Sequence, residues 1–175
     1  MPKYVALLRG INVGGHKRMP MKQLTRALEG AGLSEVQTLL QSGNVVLKSA
    51  QRSASTVEKR VHDAIEEEFG FDVSVLVRAQ KGFLEEVAAN PFSAEGEADP
   101  KAVHFFFRRR GAPIDESAVE KLRAADEHTF ACGDVFYLFA PSGIGRSKLA
   151  ARAESVLGEA TARNARTVSR LVALL

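Results

Sequence analysis

Tryptophan is absent from the 175 residues, tyrosine occurs twice, and Cys132 is the single cysteine. A lone thiol forms no intramolecular disulfide, so stability must come from a hydrophobic core, which a chain of this length can build without a covalent or metal staple. No apolar stretch approaches the ~20 residues of a membrane helix. The opening MPKYVALLRG has the pattern of a strand rather than of a signal peptide. Together these absences point to a soluble protein of a reducing compartment, so a cytoplasmic location with no membrane partner is the expectation. With 45% apolar and 26% charged residues the chain is neither disordered nor fibrous, and it suits one domain or two half-sized units.

Acidic residues are missing from one end of the chain and scarce at the other. Residues 1–18 carry Lys3, Arg9, Lys17 and Arg18 with no acid. Residues 141–175 carry Arg146, Lys148, Arg152, Arg163, Arg166 and Arg170 against Glu154 and Glu159. Because the whole chain is only +3, the middle is net acidic. Two basic ends around an acidic centre either gather at an anionic ligand or form solvated surface.

Apolar alternation and turn residues predict strands near 4–9, 35–41, 44–48 and 72–78, with a tight turn at Gly43-Asn44. Helices fall between them, one from Pro20 to Gly32 and one opened by the capping box Ser55-Thr56-Val57-Glu58 and stopped by Gly70. The order βαββαβ is the split, ferredoxin-like unit. A second, incomplete unit is expected as βαββα. It comprises a strand at 102–108, a helix near 115–125 with a capping box from Ser117 to Glu120, a hairpin turning at Gly133-Asp134, and a helix near 147–157. An extra C-terminal helix follows from about 164. The fold class is therefore α+β, two ferredoxin-like units packed together. The divisions are 1–79, a helix plus a linker or flap at 80–101, and 102–175.

Topology brings some loops together before any contact is known. In a βαββαβ unit the second strand runs parallel to the first, so loop 10–19 and turn 41–44 share one end of the sheet. Arg9, Asn12, Gly14, Gly15, His16, Lys17, Gln41, Ser42 and Asn44 gather there. In the second unit APSGIGRSKL, 140–149, is a glycine-rich exit from a strand into a helix, with Gly143 and Gly145 freeing backbone N–H groups and Arg146, Ser147 and Lys148 adding anion-binding side chains. Ala140 and Arg146 stand where a nucleotide-binding P-loop needs Gly and Lys, which excludes an NTPase; His16 breaks the same pattern after Gly10 and Gly15. In TARNARTV, 161–168, Asn164 suits a helix N-cap, and Arg163 and Arg166 place cations where the helix dipole opposes them unless an anion is bound.

Other candidates are weaker. His62, His104 and His128 lack second ligands at metal spacing, so no metal site is expected. Cys132 reads as a small buried residue, and the runs Phe105-Phe106-Phe107 and Phe136-Tyr137-Leu138-Phe139 read as core.

The strings RGINVGG, SGNVV, GIGRSKL and TARN-x-x-TV, in this order, resemble those of a bacterial family, domain of unknown function 1697, nearly end to end. The resemblance implies an α+β fold with ferredoxin-like units and no established activity. It marks Arg9, Asn12, Gly14, Gly15, Ser42, Gly43, Asn44, Gly143, Ser147, Lys148, Arg163, Asn164 and Thr167 as hallmark positions. Ala165 stands where the family commonly has Trp. Two functions follow from the residues. One is a site for a small phosphate- or carboxylate-bearing molecule held by Arg9, Asn12, Lys17, Ser42, Asn44, Gly143, Gly145, Arg146, Ser147, Lys148, Arg163, Asn164 and Thr167, with His16 or Lys17 as the proton carrier if a reaction occurs. The other is a nucleic-acid or protein-binding module on the same basic surface, and self-association through the Phe-rich strands is a third. No cofactor is indicated.

Overall fold

The computed structural model describes residues 1–175 as mixed α+β, with two four-stranded antiparallel sheets. Two compact units divide the chain, Met1–Leu84 with Leu171–Leu175, and Glu85–Arg170.

The first unit runs β1 (Lys3–Leu8), α1 (Met21–Gly30), β2 (Ser34–Leu39), β3 (Asn44–Lys48), α2 (Ala54–Phe69) and β4 (Val75–Ala79). Its sheet has the order β2-β3-β1-β4. Tyr4, Ala6 and Leu8 of β1 meet Leu24 and Leu28 of α1 and Val57, Val61 and Ile65 of α2 in one core, as helical and strand periodicities require. Gly70 ends α2 in the left-handed conformation, φ 72°.

The expected capping box of α2 does not form. Ser53 is the N-cap, with its hydroxyl 2.7 Å from that of Ser55, while Glu58 is drawn away to accept the Val77 N–H of β4 at 2.9 Å. The tight turn expected at Gly43-Asn44 is instead the four-residue turn 40–43, and Asn44 already pairs with Leu39 and Leu7.

The second unit begins within α3 (Gln80–Ala88) and continues α4 (Ser93–Ala98), β5 (Val103–Arg108), α5 (Glu116–Leu122), β6 (His128–Cys132), β7 (Val135–Phe139), α6 (Lys148–Ala151), α7 (Ala153–Leu157), β8 (Ala160–Asn164) and α8 (Ala165–Val172). Sheet order is β6-β7-β5-β8. β8 completes the expected βαββα; its Ala-Thr-Ala-Arg-Asn lacks apolar alternation and takes its strand form from the ladder with β5. The single helix expected at 147–157 is divided into α6 and α7 by a break at Arg152, and a 3-10 turn, Ile144–Arg146, precedes it. Asp115, not Ser117, caps α5, its carboxylate accepting the Ala118 N–H at 3.0 Å, since an earlier and charged acceptor outcompetes the hydroxyl. The segment expected as a linker or flap contains α4, whose buried Gly96 faces Ala165: a Cβ there would lie 3.4 Å from that of Ala165. Phe105, Phe106, Phe107, Phe136, Tyr137 and Leu138 are core, but Cys132 is exposed because it ends a hairpin at the sheet edge.

Gly43 is the tightest backbone approach. At φ 77° a Cβ would sit 2.5 Å from Leu8 Cβ and 2.9 Å from Ile11 Cδ1. Gly10 has a similar φ of 69° with nothing within 4 Å. Gly10→Ala should therefore cost only the left-handed backbone penalty, about 1 kcal/mol. Gly43→Ala adds overpacking and should cost about 3 kcal/mol. Urea denaturation of the two variants measures the difference, and equal losses would show that Leu8 yields freely.

Candidate functional site

At the end of β1 the chain turns back through 9–19, a loop with a short bridge between Val13 and His16. Asn12 holds it. Its side-chain oxygen accepts the Met19 N–H at 2.8 Å, and its amide donates to Met19 O at 3.0 Å and to Gln41 O at 2.8 Å. Asparagine suits the place because its φ of 54° is left-handed, which this residue tolerates better than most. The Leu8 N–H donates to Gly43 O at 2.8 Å, so loop 9–19 and turn 40–43 lie together at the sheet end, as topology required. Buried Asn44 locks the turn itself, donating to Leu39 O and to the Ser42 hydroxyl, both at 2.9 Å. The amide hydrogens of Asn12 and Asn44 are thus committed to the fold. Exposed at the same end stand His16, Lys17, Arg18, Gln41 and Ser42, with Arg9 half-buried.

Lys17 reaches a group that the sequence did not single out. Its Nζ donates to the backbone oxygen of Asp72 at 2.6 Å, and the Asp72 carboxylate lies 2.6 Å from His62 Nε2. His62 Nδ1 is 3.5 Å from Asp63, which pairs with Lys59 at 2.6 Å. The hydrogen bond to Asp72 is the main cause that raises the His62 pKa above its ordinary value. His62 lies on α2 and Asp72 in the connection between α2 and β4, ten positions on, a separation that matches no side-chain spacing within a helix or strand, so spacing carried no signal.

In the second unit Ser147 is buried and its hydroxyl accepts the Ala150 N–H at 3.1 Å, capping α6. Gly143, Gly145, Arg146 and Lys148 around it are exposed. Asn164 caps α8 by accepting the Thr167 N–H at 3.0 Å. Arg163 is 8% exposed, donating to Thr161 Oγ1 at 2.8 Å and Ala162 O at 2.9 Å, and burial lowers its pKa to about 10. Ser147 and Asn164 therefore serve the local backbone, while Arg163 bonds to a hydroxyl and a carbonyl of its own strand. Opposite Asn164 in the β5–β8 register lies His104, buried, with no partner for Nδ1 and a pKa pushed down to about 4 by desolvation.

An open groove between α1 and α2, lined by Arg26, Ala27, Gly30, Ala31, Ala64, Glu67 and Glu68, contains none of the residues expected to bind a ligand. No three His, Cys, Asp or Glu side chains converge to hold a metal ion. What the sheet end of the first unit offers chemically is a braced loop that displays cations.

The two histidines should titrate in opposite directions. Because the His62 pKa is raised, its contribution to stability is complete below the ordinary histidine value and is lost as pH rises through the folded one. For His104 the folded value is depressed to about 4, so its contribution is present above the ordinary value and is lost as pH falls toward 4. NMR titration of the ring protons should place His62 above and His104 well below an exposed histidine. Asp72→Asn should lower the His62 pKa by removing the largest cause that raises it, and leave His104 unmoved.

The solved structure of conserved bacterial protein SP0830 from Streptococcus pneumoniae resembles this chain with a TM-score of 0.78, covering 99% of this chain and 98% of that one at 24% identity. At that identity the likeness is one of fold. No curated protein matches the chain. A family described as protein of unknown function (DUF1697) matches residues 1–137. The match includes loop 9–19 and turn 40–43 but ends before Gly143–Lys148 and Arg163–Thr167, short of the nearly end-to-end span expected. Over that span, which holds the whole first sheet and most of the second, the chain belongs to the DUF1697 family.

Proposed function

We propose that the loop end of the first unit binds a small anion, a phosphate or carboxylate group on a small molecule, through His16, Lys17 and Arg18 with Arg9 and Ser42 beside them. The observation that carries the reading is the Asn12 brace, which closes loop 9–19 on itself through two hydrogen bonds to Met19 and ties it to turn 40–43 through a third, to Gln41 O, while the basic side chains stand exposed. A loop fixed in advance loses little conformational entropy when a ligand arrives. No acidic residue precedes Glu29, so the cations are not neutralised from within their own segment. Ser42 stands exposed beside the loop, and His16 and Lys17 are the proton carriers we assign to any reaction there. Each unit is read as ferredoxin-like; support comes from the βαββαβ order and the strand order with the first strand between the third and fourth. Arg146 and Lys148 of the second unit display the same chemistry on their own loop.

Thermal unfolding at matched ionic strength, against phosphate, sugar phosphates, nucleotides, dicarboxylates and a short RNA, tests the reading. A ligand at 100 times its Kd adds about 2.7 kcal/mol. The expected result is a rise in Tm with one class of small anion that disappears in Lys17→Ala/Arg18→Ala and persists in Arg146→Ala/Lys148→Ala. A response to RNA alone, with affinity falling ~10³-fold between 50 and 200 mM salt, would replace the small ligand by a nucleic acid.

A further inference from the structure

The two sheets have four edge strands, β2, β4, β6 and β8, and three of them are blunted by devices that prevent another strand from pairing. On β2 the register slips between Ser34 and Gln37, around Glu35 in the left-handed region, and Glu35 is paired with Lys48. On β4 the outward N–H of Val77 is taken by Glu58. On β8 the outward carbonyl of Ala162 is taken by Arg163.

β6 has none of these. Its His-Thr-Phe-Ala-Cys carries no Asp, Glu, Lys, Arg or Pro, it pairs with β7 over five consecutive positions with no register shift, and four of its five residues are exposed, Phe130 at 44%. The direction of its free groups follows from the ladder. The Arg108 N–H donates to Asp134 O, so residues 134, 136 and 138 turn toward β5 and 135, 137 and 139 turn toward β6. Their partners Cys132, Phe130 and His128 therefore face inward with their backbone groups, and Thr129 and Ala131 present N–H and C=O outward. Neither residue makes a hydrogen bond beyond that ladder.

We infer that β6 is the pairing edge for a second copy of this chain, joined antiparallel about a twofold axis through Phe130. The strand is self-complementary in that register. Thr129 of one copy lies opposite Ala131 of the other, and each such pair exchanges both backbone hydrogen bonds through the groups that face outward. Phe130 meets its own counterpart at a non-hydrogen-bonded position, where opposing Cα atoms are about 4.5 Å apart and aromatic side chains pack closely. His128 falls opposite Cys132, so no like charges oppose each other within the strand. The Phe130 ring already leans on Tyr137, with centroids 6.1 Å apart, and the His128 ring is stacked on Phe139 at 6.0 Å, so both are partly ordered before pairing. The Phe-rich strands β5 and β7 are internal to their sheet, so backbone pairing with a second copy cannot run through them.

Sedimentation velocity from about 1 to 300 µM measures the association; a short edge of this kind should give a Kd of ~10–100 µM. The expected result is a concentration-dependent doubling of mass. Ala131→Pro removes one outward N–H, leaves the β7 ladder intact, and should hold the protein monomeric with an unchanged circular dichroism spectrum. Phe130→Lys should do the same by setting two ammonium groups against each other, which keeps the test independent of proline's effect on folding. Amide exchange adds a local reading: Thr129 and Ala131 should slow at high concentration while His128, Phe130 and Cys132 do not change. A monomer throughout the range overturns the inference and leaves the edge to a strand of another protein. A dimer that survives both substitutions overturns it as well, since the contact then lies elsewhere.

Discussion

Complete burial of the two central strands is the constraint on which this architecture depends. From Tyr4 to Leu8 in β1, and from Val103 to Arg108 in β5, every residue is removed from water. A strand in that position has no solvent to satisfy its amides, so it must be flanked on both sides, and each is, by β3 and β4 or by β7 and β8. Where such a strand carries a polar side chain, no water is there to pair with it. Arg108 donates to the backbone oxygens of Leu157 and Ala112, and His104 stays neutral. The sheet ends are then the first places where polar groups face water, and loop 9–19 is one of them.

Much of this was legible in the sequence because burial writes itself as composition. YVALLR and AVHFFFR are predominantly apolar runs bounded by turns, and both supply central strands. β8 was missed for the opposite reason. Ala160–Asn164 has no apolar pattern of its own and is a strand because β5 offers it a ladder. Capping boxes misled twice, since Ser55 and Ser117 have the right spacing but lost the competition to neighbours that spacing does not reveal.

The candidate site was legible to a different depth. Chain topology alone placed loop 9–19 beside turn 40–43. It could not say which polar residues face outward, because an asparagine that braces a loop and one that grips a ligand look alike in a string of letters. Asn12 and Asn44 are both turned to the backbone. The same ambiguity covers the arginines: Arg163 is buried, whereas Arg146 is open to solvent. The His62–Asp72 contact depends on how the connection after α2 folds back beside that helix, which no helical or strand period encodes.

The close seat of Gly96 against Ala165 bears on how such chains can diverge. Helix α4 comes this near to the start of α8 because neither residue has bulk, with 3.4 Å left for a first carbon. A large side chain at either position needs the volume the other now leaves, or a displaced α4. Bulk added at either site therefore presses on the other residue and on the path of the chain before β5, so the two positions are coupled through one shared volume.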